Sequence, residues 1–167
     1  AAPIAKVQAT EGYGARVVLA GSCYDDAYAE ACRICREEGA KFLHPYNDVE
    51  VITGQGTLSL EILEQLPEAD IIIVPAGGGG LLAGVAAAAK QIKPDVKVYG
   101  VQAEGSDAIA RSYRAGKLVT TESASTIADG IAVKAPGDIT VDLINRWADG
   151  VVTVSDLEIS DAILQLM

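Results

Sequence analysis

The residues best suited to chemistry lie in Val74-Pro75-Ala76-Gly77-Gly78-Gly79-Gly80-Leu81, where four consecutive glycines follow an apolar run and precede an Ala-rich stretch. Glycine has no Cβ, so successive backbone N–H groups can turn toward one point and approach a ligand closely. A helix opening directly after them adds the positive end of its dipole. Gly77, Gly78, Gly79 and Gly80 therefore read as an anion cradle suited to phosphate. Two other readings stay open. Gly78, Gly80 and Ala83 also satisfy the dinucleotide pattern G-x-G-x-x-A, with Glu104 after the next strand placed for a ribose hydroxyl. The glycines could instead serve helix-on-sheet packing, although four in a row cost too much chain entropy for that purpose alone. A nucleoside-triphosphate P-loop is excluded, because no Lys-Ser or Lys-Thr follows the glycines.

Other reactive residues carry weaker patterns. Cys32-Arg33-Ile34-Cys35 falls in the middle of an expected helix, whereas a redox C-x-x-C opens one. Adding Cys23 and His44 reaches a zinc ligand count, but at no recognised spacing, and ordinary half-buried cysteines are the plainer reading. With a single histidine, no Ser-His-Asp trio is indicated. Asp129 reads as a turn residue. Lys6, Lys41, Lys90, Lys93, Lys97, Lys117 and Lys134 read mostly as solvated charges.

The elements that must position the glycine loop alternate between strand and helix. Ile71–Val74 reads as a strand buried on both faces and ended by Pro75, with a helix from the loop to about Lys93. Before it come a helix over Ala5–Tyr13, a strand over Ala15–Gly21 and a helix over Tyr24–Glu38 capped by Ser22 and stopped at Gly39. A short strand at Lys41–Leu43 follows, then a loop at His44–Asp48 and a helix opening at Gly54. After the loop come a strand over Lys97–Gln102, a helix from Asp107 to a stop at Gly116, and an irregular polar stretch over Leu118–Lys134. A helix over Thr140–Ala148, a strand over Val151–Val154 and a helix capped by Ser155 complete the chain. Such alternation predicts an α/β fold with a parallel sheet and ligands at the carboxyl ends of its strands.

Composition narrows the classes further. The 167 residues suit one domain with a real core, and a net charge of −10 argues against nucleic acid or an anionic membrane as a partner. No apolar run approaches a membrane span. Three cysteines make no disulfide framework, so a reducing cytoplasm is expected. The chain opens at Ala1-Ala2-Pro3 without an initiator Met and closes at Met167 in an expected helix, which predicts an interior fragment.

With the glycine loop, three further stretches complete a resemblance. They are His44-Pro45-Tyr46-Asn47-Asp48, Ile52-Thr53-Gly54-Gln55-Gly56-Thr57 and Thr126-Ile127-Ala128-Asp129-Gly130-Ile131-Ala132-Val133. In this order they resemble the threonine ammonia-lyases (threonine dehydratases), pyridoxal-phosphate enzymes of fold type II, with serine racemase as a close relative. The resemblance implies a parallel-sheet three-layer fold, tryptophan-synthase-beta-like and incomplete here. Residues 1–43 would belong to the small domain and 44–167 to the central part of the large cofactor-binding domain. It implies pyridoxal 5'-phosphate as cofactor, held by the N–H groups of Gly77 to Gly80 and Leu81, with Gly130 against one face of the ring. Glu104 and the carbonyl of Ala108 match two positions of a cation site, but Ala110 stands where the racemases are usually acidic, which puts a divalent ion in doubt and leaves a monovalent one open. The substrate would be a small amino acid, threonine or serine, and the intact enzyme a homo-oligomer. The chain lacks the motif of the lysine that anchors the cofactor, the Ser-x-Gly-Asn-His-like substrate loop and the residue that meets the ring nitrogen, so the chain alone is expected to be inactive.

Overall fold

The computed structural model describes residues 3–21 and 24–167, and the chain divides into two units, Ala1–Leu43 and His44–Met167. In the first unit, helix α1 spans Ile4–Gly12 and α2 spans Tyr24–Glu38. Arg33 pairs along α2 with Glu30 at 2.6 Å and with Glu37 at 2.5 Å, exposed one-turn contacts of small energetic weight. Gly39 ends α2 as expected, in the left-handed region at φ +67°, with the Ala40 N–H donated to the Cys35 carbonyl.

The expected strands over residues 15–21 and 41–43 do not form. A strand is stable only when a neighbour takes up its N–H and C=O groups, and among the described residues neither segment has one. Val18 and Leu19 are correspondingly exposed. The expected cap at Ser22 and the thiol of Cys23 lie outside the described residues.

The second unit runs α3 (Val49–Gln65), β1 (Ile71–Pro75), α4 (Gly80–Ile92), β2 (Lys97–Ala103), α5 (Ala108–Ala115), α6 (Asp138–Trp147), β3 (Gly150–Val154) and α7 (Asp156–Leu166). Single 3-10 turns lie at Glu104–Ser106 and Asp129–Ile131. The three strands are parallel in the order β1-β2-β3, with Ile72 opposite Val98 and Val101 opposite Val152. Helix α4 is apolar on nearly every side. Leu82, Ala83, Val85, Ala86 and Ala89 are buried, because the helix lies on β1 and β2 and is flanked by α3 and α6.

Two sequence expectations are corrected here. The first concerns β1, which is buried on one face only: Ile72 and Val74 are 7% and 3% exposed, but Ile71 and Ile73 are 56% and 68% exposed. Among the described residues, α4 covers one side of β1 and nothing covers the other. A parallel sheet reads as continuously apolar because both faces are meant to be covered. The second concerns α3, which opens at Val49 rather than Gly54, with the Asp48 carboxylate accepting from the N–H groups of Glu50 and Val51. Gly56 on α3 and Gly84 on α4 have another purpose. A Cβ at Gly84 would fall 2.3 Å from the Ile52 carbonyl oxygen, and one at Gly56 would fall 3.1 Å from that of Gly84. They allow α3 and α4 to cross backbone against backbone.

The remaining termini follow the sequence closely. Gly116 stops α5 at φ +64°, and Ser155 with Glu158 forms a reciprocal capping box on α7. At the amino end of the sheet, Asp149 joins three elements. Its carboxylate accepts from the Val98 N–H at 2.8 Å and pairs with Lys90 at 2.7 Å and Lys97 at 3.1 Å.

Candidate functional site

Strand β1 delivers Ala76 to the carboxyl edge of the sheet, where its N–H is donated to the Val101 carbonyl at 2.9 Å. The chain then bends through Gly77–Gly79 without a hydrogen-bonded turn, and Gly79, left-handed at φ +97°, caps α4. The first N–H groups of a helix have no partner inside it. The Ala83 N–H is the first to find one, the Gly79 carbonyl at 2.8 Å. Those of Gly77, Gly78, Gly79, Gly80 and Leu81 have no acceptor among the described residues. Consecutive donors at the positive end of a 13-residue helix, with a left-handed residue among them, suit a dianionic phosphate oxygen cluster.

The back of this loop is closely packed. An added Cβ would lie 2.4 Å from the Tyr46 ring at Gly78 and 2.9 Å from the Tyr46 Cα at Gly80. At Gly79 it would lie 2.9 Å from Thr140, and at Gly77 3.0 Å from the Ile131 Cα. Packing therefore demands glycine at Gly78, Gly79 and Gly80 and is tight at Gly77, in addition to any ligand. The fourfold run combines two requirements that the sequence left as alternatives.

The segment His44–Asp48 supplies much of that packing. His44 Nδ1 accepts from the N–H groups of Tyr46 (3.3 Å) and Asn47 (2.9 Å), which folds the segment into a tight turn. Burial holds the His44 imidazole below its ordinary value of 6.5, against an opposing pull from Asp48. The neutral form is the one that can accept both bonds. Tyr46 lies on the glycine loop and donates its hydroxyl to the Ala135 carbonyl at 2.8 Å. Asn47 accepts from the Ile139 N–H and donates to Asp138 at 2.7 Å, holding that carboxyl below its usual range at the start of α6. Asp48 caps α3. One pentapeptide thus ties the loop to two helices.

The irregular stretch over residues 118–134 is fixed by hydrogen bonds rather than by regular structure. The Ser125 N–H bonds the Gly105 carbonyl, Thr126 bonds Asp156, and the buried Ser106 hydroxyl accepts from the Val133 N–H at 3.0 Å. These anchors bring Asp129–Ile131 beside Gly77. Gly130 is exposed, and a Cβ there would meet no atom within 4 Å. The segment beside the cradle therefore presents bare backbone with open space above it. Asp129 lies in a turn, as its sequence context suggests.

The remaining candidates are placed as follows. Glu104 is exposed on the 3-10 turn after β2, and the Ala108 carbonyl accepts the Ser112 hydroxyl at 2.7 Å. No cluster of three His, Cys, Asp or Glu able to hold a metal occurs among the described residues. Cys32 and Cys35 are half-buried free thiols in mid-helix. Lys90 and Lys97 pair with Asp149, and Lys93 donates to the Pro67 and Ala69 carbonyls. A groove of about 430 Å³, lined by Ile52, Gly56, Leu60, Gly84, Ala88 and Leu143 among others, lies between α3 and α4. It has no titratable side chain and offers nothing for acid–base chemistry. Thr140 escapes a sequence reading, and Tyr46 enters it only within the stretch His44–Asp48 and without a role, since their contacts with the glycine loop are 62 and 32 or more residues distant.

A parallel α/β sheet with a phosphate-suited loop at its carboxyl edge defines a class of cofactor-binding enzyme fold. Residues 1–167 match the model of the pyridoxal-phosphate dependent enzyme family, and the chain belongs to that family. It is 48% identical over 166 residues to an L-threonine ammonia-lyase of Thermotoga maritima, covering 99% of this chain and 41% of that protein. Maize serine racemase superposes with a TM-score of 0.93 at 40% identity, over 98% of this chain and 49% of the other. The processed form of threonine deaminase isoform 2 from Solanum lycopersicum gives 0.93 at 38%, over 98% and 48%. The chain spans half or less of the length of these relatives. The sheet and helix order agree with the expected fold type, incomplete in this chain.

Proposed function

We propose that the protein carrying this chain is a threonine ammonia-lyase, which converts L-threonine to 2-oxobutanoate and ammonia, and L-serine to pyruvate and ammonia. The observation that carries the reading is the row of N–H donors from Gly77 to Leu81 with no acceptor among the described residues, in a chain close in sequence to threonine ammonia-lyases. In this reading those donors and the α4 dipole hold the cofactor's phosphate, and the bare backbone at Gly130 lies against its ring. When bound, pyridoxal phosphate supplies an electron sink for negative charge at the substrate's α-carbon. The chain's own contribution is to bind and orient: Tyr46 and Thr140 back the loop, and Ser106 sets the position of the Gly130 segment. Residues 1–43 belong to the small domain and 44–167 to the large one. Glu104 and the Ala108 carbonyl are the positions where a cation would be sought. The intact protein is read as a cytoplasmic homo-oligomer, in keeping with the free thiols of Cys32 and Cys35.

The test pairs turnover with binding. The full-length protein should show the cofactor's visible absorbance and release 2-oxobutanoate from threonine; neither band nor turnover would overturn the reading. Racemised serine with no oxo acid would instead assign it to the racemases. Gly130→Ala separates binding from folding, because its Cβ meets nothing in the protein. Its thermal midpoint should match wild type while its cofactor affinity falls.

A further inference from the structure

Thr140, in the first turn of α6, is fully buried, and its hydroxyl lies 2.8 Å from the Gly78 carbonyl oxygen and 2.9 Å from that of Gly137. The bond to Gly137 is the common local back-bond of a threonine near a helix start. The bond to Gly78 joins residues 62 apart in sequence and has no local cause. The Gly137 N–H also approaches the Gly78 oxygen, at 3.3 Å. The Gly78 carbonyl is therefore turned toward α6. The peptide joining Gly78 to Gly79 contains no cis bond, and in a planar trans peptide the C=O and the following N–H point in opposite directions. Holding the Gly78 carbonyl toward Thr140 aims the Gly79 N–H away from α6. The surrounding atoms leave this peptide little choice of position, since a Cβ at Gly79 would already lie 2.9 Å from Thr140 and 3.0 Å from Ile109.

We propose that Thr140 is the positioning residue of the anion cradle: its hydroxyl orients the Gly78–Gly79 peptide so that the Gly79 N–H faces the bound phosphate. The proposal rests on the reading that this loop holds the cofactor phosphate. It concerns binding of the phosphate and not the ring, so pyridoxal phosphate and pyridoxal, which differ only in that group, separate the two.

The apo form of the full-length protein is titrated with each compound by fluorescence, as wild type, Thr140→Val and Thr140→Ser. Valine keeps the shape and removes the hydroxyl, so pyridoxal phosphate should bind about tenfold more weakly while pyridoxal binding is unchanged. Serine restores the donor and should stay close to wild type. The idea is overturned if Thr140→Val binds pyridoxal phosphate as wild type does, if it weakens both compounds alike, or if serine is as weak as valine. Should the valine variant not fold, the Gly79 amide resonance of the wild-type apoprotein decides: a large shift on adding inorganic phosphate supports the proposal, and no shift refutes it. Wild-type protein that binds pyridoxal phosphate no better than pyridoxal would defeat the phosphate reading itself, and this proposal with it.

Discussion

Replacing Asp149 by Asn tests how the amino end of the sheet is held. Burial alone would push this carboxyl up, but the Lys90 ammonium, the Val98 N–H and Lys97 together outweigh it and hold it at about 2, against an ordinary 3.8. That difference corresponds to about 2.4 kcal/mol at most. Lys97 is 55% exposed, so solvent screening reduces the charge contribution to roughly 1–2 kcal/mol. The variant also leaves Lys90, only 14% exposed, without its carboxylate, which raises the expected loss to about 2–3 kcal/mol near neutral pH. The sign follows from the direction of the shift. Because the folded carboxyl is the stronger acid, its contribution is complete above about pH 4 and disappears as pH falls toward about 2. Urea denaturation of wild type and variant across that range is the assay. Other carboxylates titrate in both proteins, so the difference between the two isolates Asp149. The gap should narrow steadily below pH 4. A gap that stays constant with pH, or one below about 0.5 kcal/mol at pH 7, would refute the electrostatic account.

Three further outcomes are expected. Gly84→Ala should lower the thermal midpoint by many degrees, since its Cβ would meet the Ile52 carbonyl at 2.3 Å where only backbone can yield, whereas Gly130→Ala should leave it unmoved; equal melts for both would contradict the packing argument. His44 titrates below 6.5, so folding stability should be complete above that pH and decline as pH falls through the folded value, a change that vanishes in His44→Asn. As the sole histidine, its ring-proton NMR signal reports that value directly, and a midpoint above 6.5 would contradict the neutral acceptor role. Finally, the purified 167-residue chain should form no 2-oxobutanoate from threonine, because none of its seven lysines lies in the cofactor-anchoring motif that the family resemblance implies; measurable product would show that a cofactor-anchoring lysine had been overlooked.

Local features were legible in the sequence where their cause is local. The strand, glycine turn and helix of residues 71–92 depend on apolar run length and on glycine, and the stops at Gly39 and Gly116 on left-handed backbone. The capping box at Ser155 needs only a residue three positions away. The phosphate-suited loop itself was visible for the same reason: its donors are consecutive in the chain. Tertiary structure decided everything that depends on a distant neighbour. Residues 15–21 have strand-like composition but no partner ladder, so they stay irregular. Ile71 and Ile73 face outward because the helices of this chain cover one side of the sheet. Only the folded chain explains why Gly78, Gly79 and Gly80 must be glycine: Tyr46 and Thr140 approach from 32 to 62 residues away and leave no room for a methyl group.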